Sequence, residues 1–456
     1  MNARAETMPH AVDAKGTDEV RFDVINRVGL VTLNRPRQLN ALSYPMILAL
    51  RERLRQWASR DDVVAVVLRG AGDKAFCAGG DIRALYDSYR DDMAGRGGND
   101  GEPLYRRFFV DEYQLDFELH RYPKPVVALM DGIVMGGGMG LAQAARLRIV
   151  TERARVAMPE TGIGLVPDVG ASHFLSRMTP ELALYVGLTG VTLGAADTLL
   201  CGLADVAVDS AALADLEATL ASIDWSGCAW PGNGDTVLAT LRRALVPASP
   251  VTAADAPLLK VLPALLRHFR ADATPAAILQ GLAGEQDACC TDRAERADRA
   301  DRADRADQAD RADRADRANR ADGADRADGA DRADDADRTG GSDGPERAEW
   351  AEWAAKTAML LRGRSPLMTA VTRELLLRGR RLDLADCFRM ELDVVCHAFT
   401  DGDFIEGVRA LIVDKDQTPH WRVGSHDEVD PDAVRRFFVS PWQGERHPLA
   451  SPALTC

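Results

Sequence analysis

Between Val20 and Val208 the chain alternates short apolar runs with helical patterns and glycine-rich turns, and this alternation restricts the fold more than any other feature. The runs GLVTLNRP and VVAVVLRG are typical of buried strands, whereas YPMILALRERLRQWASR between them has apolar residues at helical spacing. Two further apolar runs, PVVALMDG and RLRIVTERARVAMPE, are each predicted to be a strand, and they stand on either side of IVMGGGMGLAQAA, a glycine turn that leads into a helix. Because strands alternate with helices, the sequence predicts an α/β fold.

The remainder of the chain follows a different pattern. The glycine turns fade, and helix-like segments such as PLLKVLPALLRHF and PLMTAVTRELLLRG dominate. Amphipathic segments of this kind usually pack as a helical layer on a core. We therefore expect a core over 20–208 and helical regions over 209–291 and 346–456.

A triplet repeat of the unit Asp-Arg-Ala interrupts the helical part from Asp292 to Arg338. Its charged residues do not follow the 3.6-residue period of a helix. A helix formed there would therefore have no apolar face and could bury little besides alanine methyls. We interpret 292–345 as a low-complexity surface insertion, disordered or loosely helical, with a partner-binding arm as the alternative. Residues 1–19 are expected to form a flexible N-terminus.

Net charge limits the partners of this 456-residue chain. The formal charge of −14 at pH 7 would repel phosphate backbones and anionic lipids, so neither nucleic acid nor a membrane is expected as a partner. A small anionic ligand stays compatible where the local field is basic. The hydrophobic fraction of 46% is ample for a core, and no apolar run reaches the length of about 18 residues that predicts a membrane span.

The cysteines and the N-terminus bear on the compartment. The eight cysteines are scattered and form no CxxC pair, so we expect reduced thiols. No cluster of His, Cys and Asp has metal-ligand spacing, so no metal is expected. The N-terminal segment lacks the apolar stretch of a signal peptide. Together these features predict a cytoplasmic protein.

Two glycine-rich turns each follow an apolar run and open a helix. In KAFCAGGDI small residues precede a helix predicted from Asp81, and in GIVMGGGMG the glycines 136–138 open another. The first N–H groups of a helix have no intrahelical acceptor, and glycine lets a ligand approach them closely. Two such donors can polarise a carbonyl and stabilise an oxyanion. Taken singly, each turn is more often structural, and neither has the GK[ST] of a phosphate loop or the GxGxxG of a dinucleotide site.

A third segment, AMPETGIGLVPDVG, places Glu160 and Asp168 among apolar residues, glycines and prolines. A buried carboxylate without a partner costs several kcal/mol unless a raised pKa keeps it neutral. In a surface turn the two acids would need no functional explanation. Beside the glycine turns they would supply the acid and the base that act on a polarised carbonyl.

These segments, in this order, together with VGLVTLNRPRQLNAL and DFIEGVRALIVDKDQTPHW, resemble the crotonase superfamily of acyl-CoA enzymes. The resemblance covers about residues 21–208, resumes after the repeat, and is closest to the 3-hydroxyisobutyryl-CoA hydrolases. It implies a crotonase-like spiral of ββα repeats with a helical C-terminal region. It also implies an acyl-CoA substrate and no cofactor besides the CoA of that substrate, and it leaves a homo-oligomer open. The triplet repeat has no counterpart in that family.

The resemblance also implies positions for the site. In this superfamily the thioester carbonyl sits between two backbone N–H groups, and the matching residues are Gly80 and Gly137. Backbone at Ala78 would hold the adenine of CoA, and Glu112, in FFVDEYQL, would lie near the substrate. The alternative for Glu112 is a glutamate on a helix surface.

Carboxylates separate the activities within the superfamily. Hydratases carry one glutamate after the glycine triplet, where this chain has Gly140, and a second that matches Glu160. Since glycine cannot move a proton, hydratase activity is not expected. Hydrolases add the aspartate that matches Asp168, which implies hydrolysis of 3-hydroxyisobutyryl-CoA with Glu160 as general base or nucleophile. The segment GASHFLSRM departs from the hydrolase pattern, so another short 3-hydroxyacyl group stays open.

The sequence leaves two alternatives to a hydrolase. An isomerase of the same superfamily can work with Glu160 alone. A catalytically silent acyl-CoA-binding protein would use the triplet repeat as its functional arm. The presence of both acids beside both glycine turns speaks against the silent protein.

Overall fold

The computed structural model describes residues 18–96, 102–226, 234–287, 343–442 and 446–450, with 301–303, 305, 308 and 311 besides. Most of the predicted flexible N-terminus and most of the predicted repeat insertion lie outside the described residues. The chain divides into two compact units. One comprises the residues up to Ala276 and from Leu360 onward, and the other comprises Ala277–Met359.

The strands form two sheets. In chain order they are β1 Val20–Ile25, β2 Val28–Leu33, β3 Ala65–Gly70, β4 Ala75–Cys77, β5 Val126–Met130, β6 Ile133–Met135, β7 Leu147–Thr151, β8 Arg155–Ala157 and β9 Val206–Val208. Six of them form a sheet in the order β1-β2-β3-β5-β7-β9, and the other three form the sheet β4-β6-β8. Only β1 and β2 pair antiparallel among these strands. β2 and β5 are buried along their whole length, because both faces of a mostly parallel sheet are covered, and their sequences are accordingly continuous apolar runs.

The helices lie between and after the strands. They are α1 Tyr44–Ala58, α2 Ile82–Met93, α3 Leu104–His120, α4 Gly137–Gln143, α5 Ala171–Phe174, α6 Pro180–Thr189, α7 Ala195–Leu200, α8 Leu216–Ala221, α9 Gly234–Leu245, α10 Leu258–His268, α11 at 275–287, α12 Asp343–Arg362, α13 Pro366–Gly379, α14 Leu384–Thr400, α15 Phe404–Val408 and α16 Pro431–Arg436. In the part of the chain that the structure describes, none of the helices combines the length and the apolarity needed to cross a membrane.

The two sheets arise from one repeated unit. Three times a strand of the large sheet is followed by a short strand of the small sheet, in β3–β4, β5–β6 and β7–β8. A helix follows the first two pairs, and the 3₁₀ turn Glu160–Ile163 follows the third. The link from β6 to α4 turns at Gly136, whose φ of 49° is left-handed and favours glycine. The predicted α/β fold of ββα units is confirmed, and both glycine turns lie where a helix begins.

Two groups of helices cover the sheets in the compact unit formed by the residues up to Ala276 and from Leu360 onward. Side chains of α8 and α9, among them Leu216, Leu220, Val237 and Leu241, join Leu30 of the large sheet in one buried apolar cluster. In the second group, which is C-terminal, α13 packs on α5 and α6, and α14 packs on α3 and α5. α15 contacts the turn Glu160–Ile163. The C-terminal helices therefore pack against the segments that carry both predicted acids.

Candidate active site

A cavity of about 320 Å³ lies at the two glycine turns and the acid-bearing turn. Its volume falls in the usual range for small-molecule sites, roughly 300–1,000 Å³. All six residues proposed from the sequence line this one cavity: Ala78, Gly80, Glu112, Gly137, Glu160 and Asp168. The fold therefore brings together positions that are spread over 90 residues of sequence.

The amides of Gly80 and Gly137 are free to meet a ligand. Gly80 lies in an isolated parallel bridge to Leu42, but the bridge uses the carbonyl of Gly79 (2.8 Å) and the amide of Asp81 (2.9 Å), so the Gly80 amide is left out. Among the described residues neither the Gly80 nor the Gly137 N–H has a protein acceptor. The two turns lie against each other, since a Cβ added at Gly79 would sit 3.8 Å from the Gly137 nitrogen. This arrangement fits an oxyanion hole.

Neighbouring side chains take up the space beside Gly137. A Cβ added there would collide with Oε1 of Glu112 and would lie 3.1 Å from Cδ1 of Leu42. Real Cβ atoms hardly ever approach other atoms so closely, so any larger residue must displace Glu112. Glycine thus keeps both the amide and the Glu112 carboxyl at the cavity wall.

Glu160 begins the 3₁₀ turn after a gap of two residues from the end of β8, so a short strand places its carboxyl. The residue is 6% exposed, and its Oε2 atom has no hydrogen-bond partner among the described residues. The other oxygen faces the second glycine turn, 3.1 Å from a Cβ added at Gly136. Burial raises the pKa of Glu160 well above its usual range, the negative charge of Asp168 adds to the rise, and the Arg364 guanidinium opposes it.

Asp168 stands eight residues later on the same wall of the cavity and is 4% exposed. The hydroxyl of Tyr113 donates to its Oδ2 atom at 2.6 Å. Burial raises the pKa of Asp168 to about 7, although the Tyr113 hydrogen bond favours the charged form. Both protonation states of this carboxyl are therefore populated near neutral pH, which suits a group that gives and takes a proton.

Glu112 and Ala78 complete the set from the sequence. Glu112 lies on α3 and is buried, so the alternative of a surface glutamate is wrong, and its Oε1 atom has no partner among the described residues. Burial raises its pKa well above the usual range, and the charges of Asp168 and Glu160 raise it further. The Ala78 amide donates to the Leu39 carbonyl at 3.0 Å, so this amide is already paired within the protein. Within the described residues no group of three or more His, Cys, Asp or Glu side chains is arranged to hold a metal ion.

The model of the enoyl-CoA hydratase/isomerase family matches residues 28–303 and 343–438. The chain belongs to this family. It is an enzyme of the crotonase fold, and the predicted membership is confirmed. It is 31% identical to the mitochondrial 3-hydroxyisobutyryl-CoA hydrolase of Danio rerio, over 94% of this chain and 92% of that protein. It is also 31% identical to 3-hydroxyisobutyryl-CoA hydrolase 1 of Arabidopsis thaliana, over 94% and 93%.

Two solved structures align along almost the whole chain. A carnitinyl-CoA dehydratase from Mycobacterium thermoresistibile matches with a TM-score of 0.68 at 30% identity, over 94% of this chain and 98% of that one. An enoyl-CoA hydratase from Rhodobacter sphaeroides 2.4.1 matches with a TM-score of 0.65 at 29% identity, over 93% and 98%. The helical C-terminal region is thus shared with these family members.

Helix α3 brings two residues to the site that were not predicted. Tyr113 holds Asp168, and Asp116 is completely buried behind the cavity, with neither carboxyl oxygen partnered among the described residues. Oδ2 of Asp116 would lie 2.6 Å from a Cβ added at Gly140. The spacing of Glu112 and Asp116, four residues apart, puts both acids on one helix face, and this was a usable signal.

Arg364, just before α13, brings a positive charge to the cavity wall. Its Nε donates to the Thr189 carbonyl at 2.8 Å, and its guanidinium packs against Gly162, two residues after Glu160. Burial lowers the pKa of Arg364, and the charge of Glu160 raises it. Nothing in the local sequence around Arg364 marks it, because its contacts come from a distant part of the chain.

Proposed function

We propose that this enzyme hydrolyses a short 3-hydroxyacyl-CoA thioester, with 3-hydroxyisobutyryl-CoA as substrate and 3-hydroxyisobutyrate and CoA as products, a step of valine breakdown. The single observation that carries the proposal is that Glu160 and Asp168 line the same cavity as the free amides of Gly80 and Gly137. Relatives named 3-hydroxyisobutyryl-CoA hydrolase, similar over more than nine-tenths of both chains, support the choice of substrate.

The two amides would bind the thioester carbonyl oxygen. Each N–H donates to this oxygen, draws electron density from the carbonyl carbon, and stabilises the negative charge that appears on the oxygen when a nucleophile attacks. One donor of this kind is typically worth about 10²–10³ in kcat. The amides need no reorganisation, because the backbone bridge at Leu42 and the start of α4 fix them.

Glu160 would start the attack in its ionised form, which the Arg364 guanidinium favours, by one of two routes. As a general base, its carboxylate takes a proton from water, whose oxygen adds to the carbonyl carbon. As a nucleophile, its carboxylate adds to that carbon, expels the thiolate and leaves a mixed anhydride that water then opens. Hydroxylamine added during turnover separates the routes, since only the anhydride would convert Glu160 to a hydroxamate, which mass spectrometry detects.

Asp168 would assist the departure of CoA and bind the 3-hydroxyl of the substrate. Its protonated form can give its proton to the sulfur of the departing CoA, and its ionised form can accept a hydrogen bond from the 3-hydroxyl of the substrate. Tyr113 occupies Oδ2, so Oδ1 is the oxygen left for this work. A pKa of about 7 makes both forms accessible during turnover.

Hydration of an enoyl-CoA is the second candidate, because the two aligned structures are those of a carnitinyl-CoA dehydratase and an enoyl-CoA hydratase. That reaction needs a second acid near Gly140. The space next to Gly140 is filled by Asp116 and by Val169, whose Cβ atom would lie 2.8 Å from an added Cβ. Asp116 is fully buried and does not line the cavity, so it does not supply that acid. The site geometry therefore favours the hydrolase.

A panel of short acyl-CoAs separates the candidates. We expect release of free thiol from 3-hydroxyisobutyryl-CoA and other short 3-hydroxyacyl-CoAs, followed with a thiol reagent. The absorbance of crotonyl-CoA should stay unchanged, because position 140, where hydration needs its second acid, is a glycine. A shifted double bond, or loss of the enoyl absorbance without thiol release, would replace the hydrolase by an isomerase or a hydratase.

A further inference from the structure

The backbone just after Asp168 adopts a conformation that its sequence disfavours. Val169 has a φ of 54° and Gly170 a φ of 87°. Left-handed backbone suits glycine, but for a β-branched residue such as valine it is a true outlier that persists only where the surroundings hold it in place. Val169 also lines the active-site cavity. Something must therefore hold this turn, and the turn sets the direction of the Asp168 side chain.

Glu391, on α14, contacts this turn with both of its carboxyl oxygens. Oε2 accepts the amide of Gly170 at 2.7 Å, and Oε1 accepts the amide of Ser172 at 2.8 Å and the hydroxyl of the same serine at 2.5 Å. The side chain is completely buried. It caps the start of α5 from a position 219 and 221 residues away in sequence.

The same helix supports the turn at a second point. Phe388, three residues before Glu391, would lie 3.1 Å from a Cβ added at Gly170, so α14 packs tightly on the turn. The Phe388 ring also lies 5.6 Å from the ring of Tyr113, the residue that donates to Asp168. Asp168 is thus held through its side chain by Tyr113 and through the following backbone by α14.

We propose that Glu391 is a positioning residue, which holds the turn from Asp168 to Ser172 in its left-handed form and so aims the Asp168 carboxyl into the cavity. Glu391 does not line the cavity and touches no substrate. Its effect on the reaction rests on the proposed hydrolase function. Its effect on the turn does not.

Glu391→Gln tests the proposal with the smallest change of shape. Three donors point at two carboxylate oxygens, whereas an amide offers one oxygen and turns its NH₂ group toward an N–H. We expect kcat for thioester hydrolysis to fall by about 10²-fold, the usual cost of misplacing a reacting group by about 1 Å. KM should hardly change, because the amides of Gly80 and Gly137 and the residue Glu112 stay in place.

Two further variants complete the series. Ser172→Ala removes one donor and keeps both amide contacts, so a smaller fall in kcat is expected, and this variant serves if Glu391→Gln does not fold. Glu374→Gln, on α13, is the matched control, since Glu374 is partly exposed and pairs with Arg378 at 2.7 Å. It should keep the wild-type kcat.

Hydrogen exchange gives a readout that does not depend on activity. Followed by mass spectrometry, the peptide that spans 168–176 should exchange faster in Glu391→Gln than in the wild type or in Glu374→Gln. Unchanged exchange in Glu391→Gln would overturn the proposal. If the wild-type enzyme released no thiol from any acyl-CoA, the proposed function would fail, and the exchange result would still decide whether Glu391 holds the turn.

A double-mutant cycle tests the link to Asp168. If Glu391 acts on the reaction through Asp168, the Glu391→Gln change should cost little more in a chain that already carries Asp168→Asn. Losses that multiply in the double variant would show that Glu391 acts on the reaction by another path and would overturn its assignment as a positioning residue for Asp168.

Discussion

At Gly137 a single added methyl group would reach the Glu112 carboxyl and approach Leu42. We therefore expect Gly137→Ala to push Glu112 aside and crowd the thioester carbonyl at the amide that should bind it. Loss of one such donor typically costs about 10²–10³ in kcat. Steady-state thiol release by the purified variant measures the effect.

The control for this change is Gly194→Ala. An added Cβ at Gly194 has nothing within 4 Å, and its φ of −79° suits any residue. This variant should match the wild type in rate and melting temperature. A Gly137→Ala enzyme that turned over as fast as Gly194→Ala would remove Gly137 from the oxyanion hole.

Some residues of the site could be predicted from the sequence, and others could not. The motifs around Gly80, Gly137 and Glu160 are short and continuous, so their resemblance to the superfamily was enough to predict them. Arg364 and Glu391 were missed because their roles depend on contacts about 200 residues away, which no local pattern encodes. The sequence alone also does not distinguish a buried acid from an exposed one, because a glutamate or aspartate in a helix gives the same pattern on a surface and in a core.

Among the elements of the fold, α3 and α4 pack against each other at Gly140. A side chain there would meet Asp116 and Val169. We expect Gly140→Glu, which imitates a hydratase in sequence, to overpack this contact at a cost of about 1–3 kcal/mol and to bury another acid beside Asp116. The melting temperature should fall, and crotonyl-CoA should not be hydrated.

Gly140→Ala is the graded control, because it adds the crowding atom without the acid. It should lower the melting temperature less than Gly140→Glu does. A stable Gly140→Glu enzyme that hydrated crotonyl-CoA would show that the cleft has room for a second acid, contrary to the packing seen here.

The sequence predicted most elements of the core but not their division into two sheets. Long apolar runs such as β2 and β5 were evident because each is buried over five or six residues. The strands of the small sheet, β4, β6 and β8, have three residues each and carry no measurable alternation. The run RLRIVTERARVAMPE was interpreted as one strand, whereas it forms β7 and β8 in different sheets. A three-residue strand is defined by its partners, which sequence periodicity does not show.

At the scale of the whole molecule, buried carboxyls should make stability depend on pH. Burial raises the pKa of Asp168 to about 7, compared with about 4 in an unfolded chain, and it raises the pKa values of Glu112 and Glu160 well above their usual range. Such groups bind more protons when folded, so the stability they contribute is full below the unfolded pKa and is lost as pH rises through the folded pKa. His120 and His426, whose pKa values burial lowers to about 4, oppose this only below about pH 6.5.

The free energy of unfolding should therefore fall between about pH 6.5 and 8.5, by up to about 1.4 kcal/mol per pH unit for each proton that the folded protein holds in excess of the unfolded chain. Melting curves across this range should show the melting temperature decreasing with pH. Asp168→Asn should flatten the slope, because an amide does not titrate. A melting temperature that stayed level or rose over the same range would contradict the burial of ionisable carboxyls.

Some inferences from the sequence about the protein as a whole stay predictions. The cytoplasmic location, a homo-oligomer and the surface character of the triplet repeat belong to this group. Each depends on the surroundings of the chain or on residues outside those described. The family, the fold and the gathering of the predicted residues in one cavity do not depend on them.

The central claim is that two carboxyls act together on a thioester. The most direct measurement compares thiol release from saturating 3-hydroxyisobutyryl-CoA by the wild type, by Asp168→Asn and by Asp87→Asn, a control at an exposed position on α2. We expect the control to match the wild type and Asp168→Asn to be slower by at least about 10²-fold, the lower end of what acid–base assistance provides, without a lower melting temperature. Asp168→Asn working at close to the wild-type rate would contradict the two-carboxylate account and leave Glu160 to act alone.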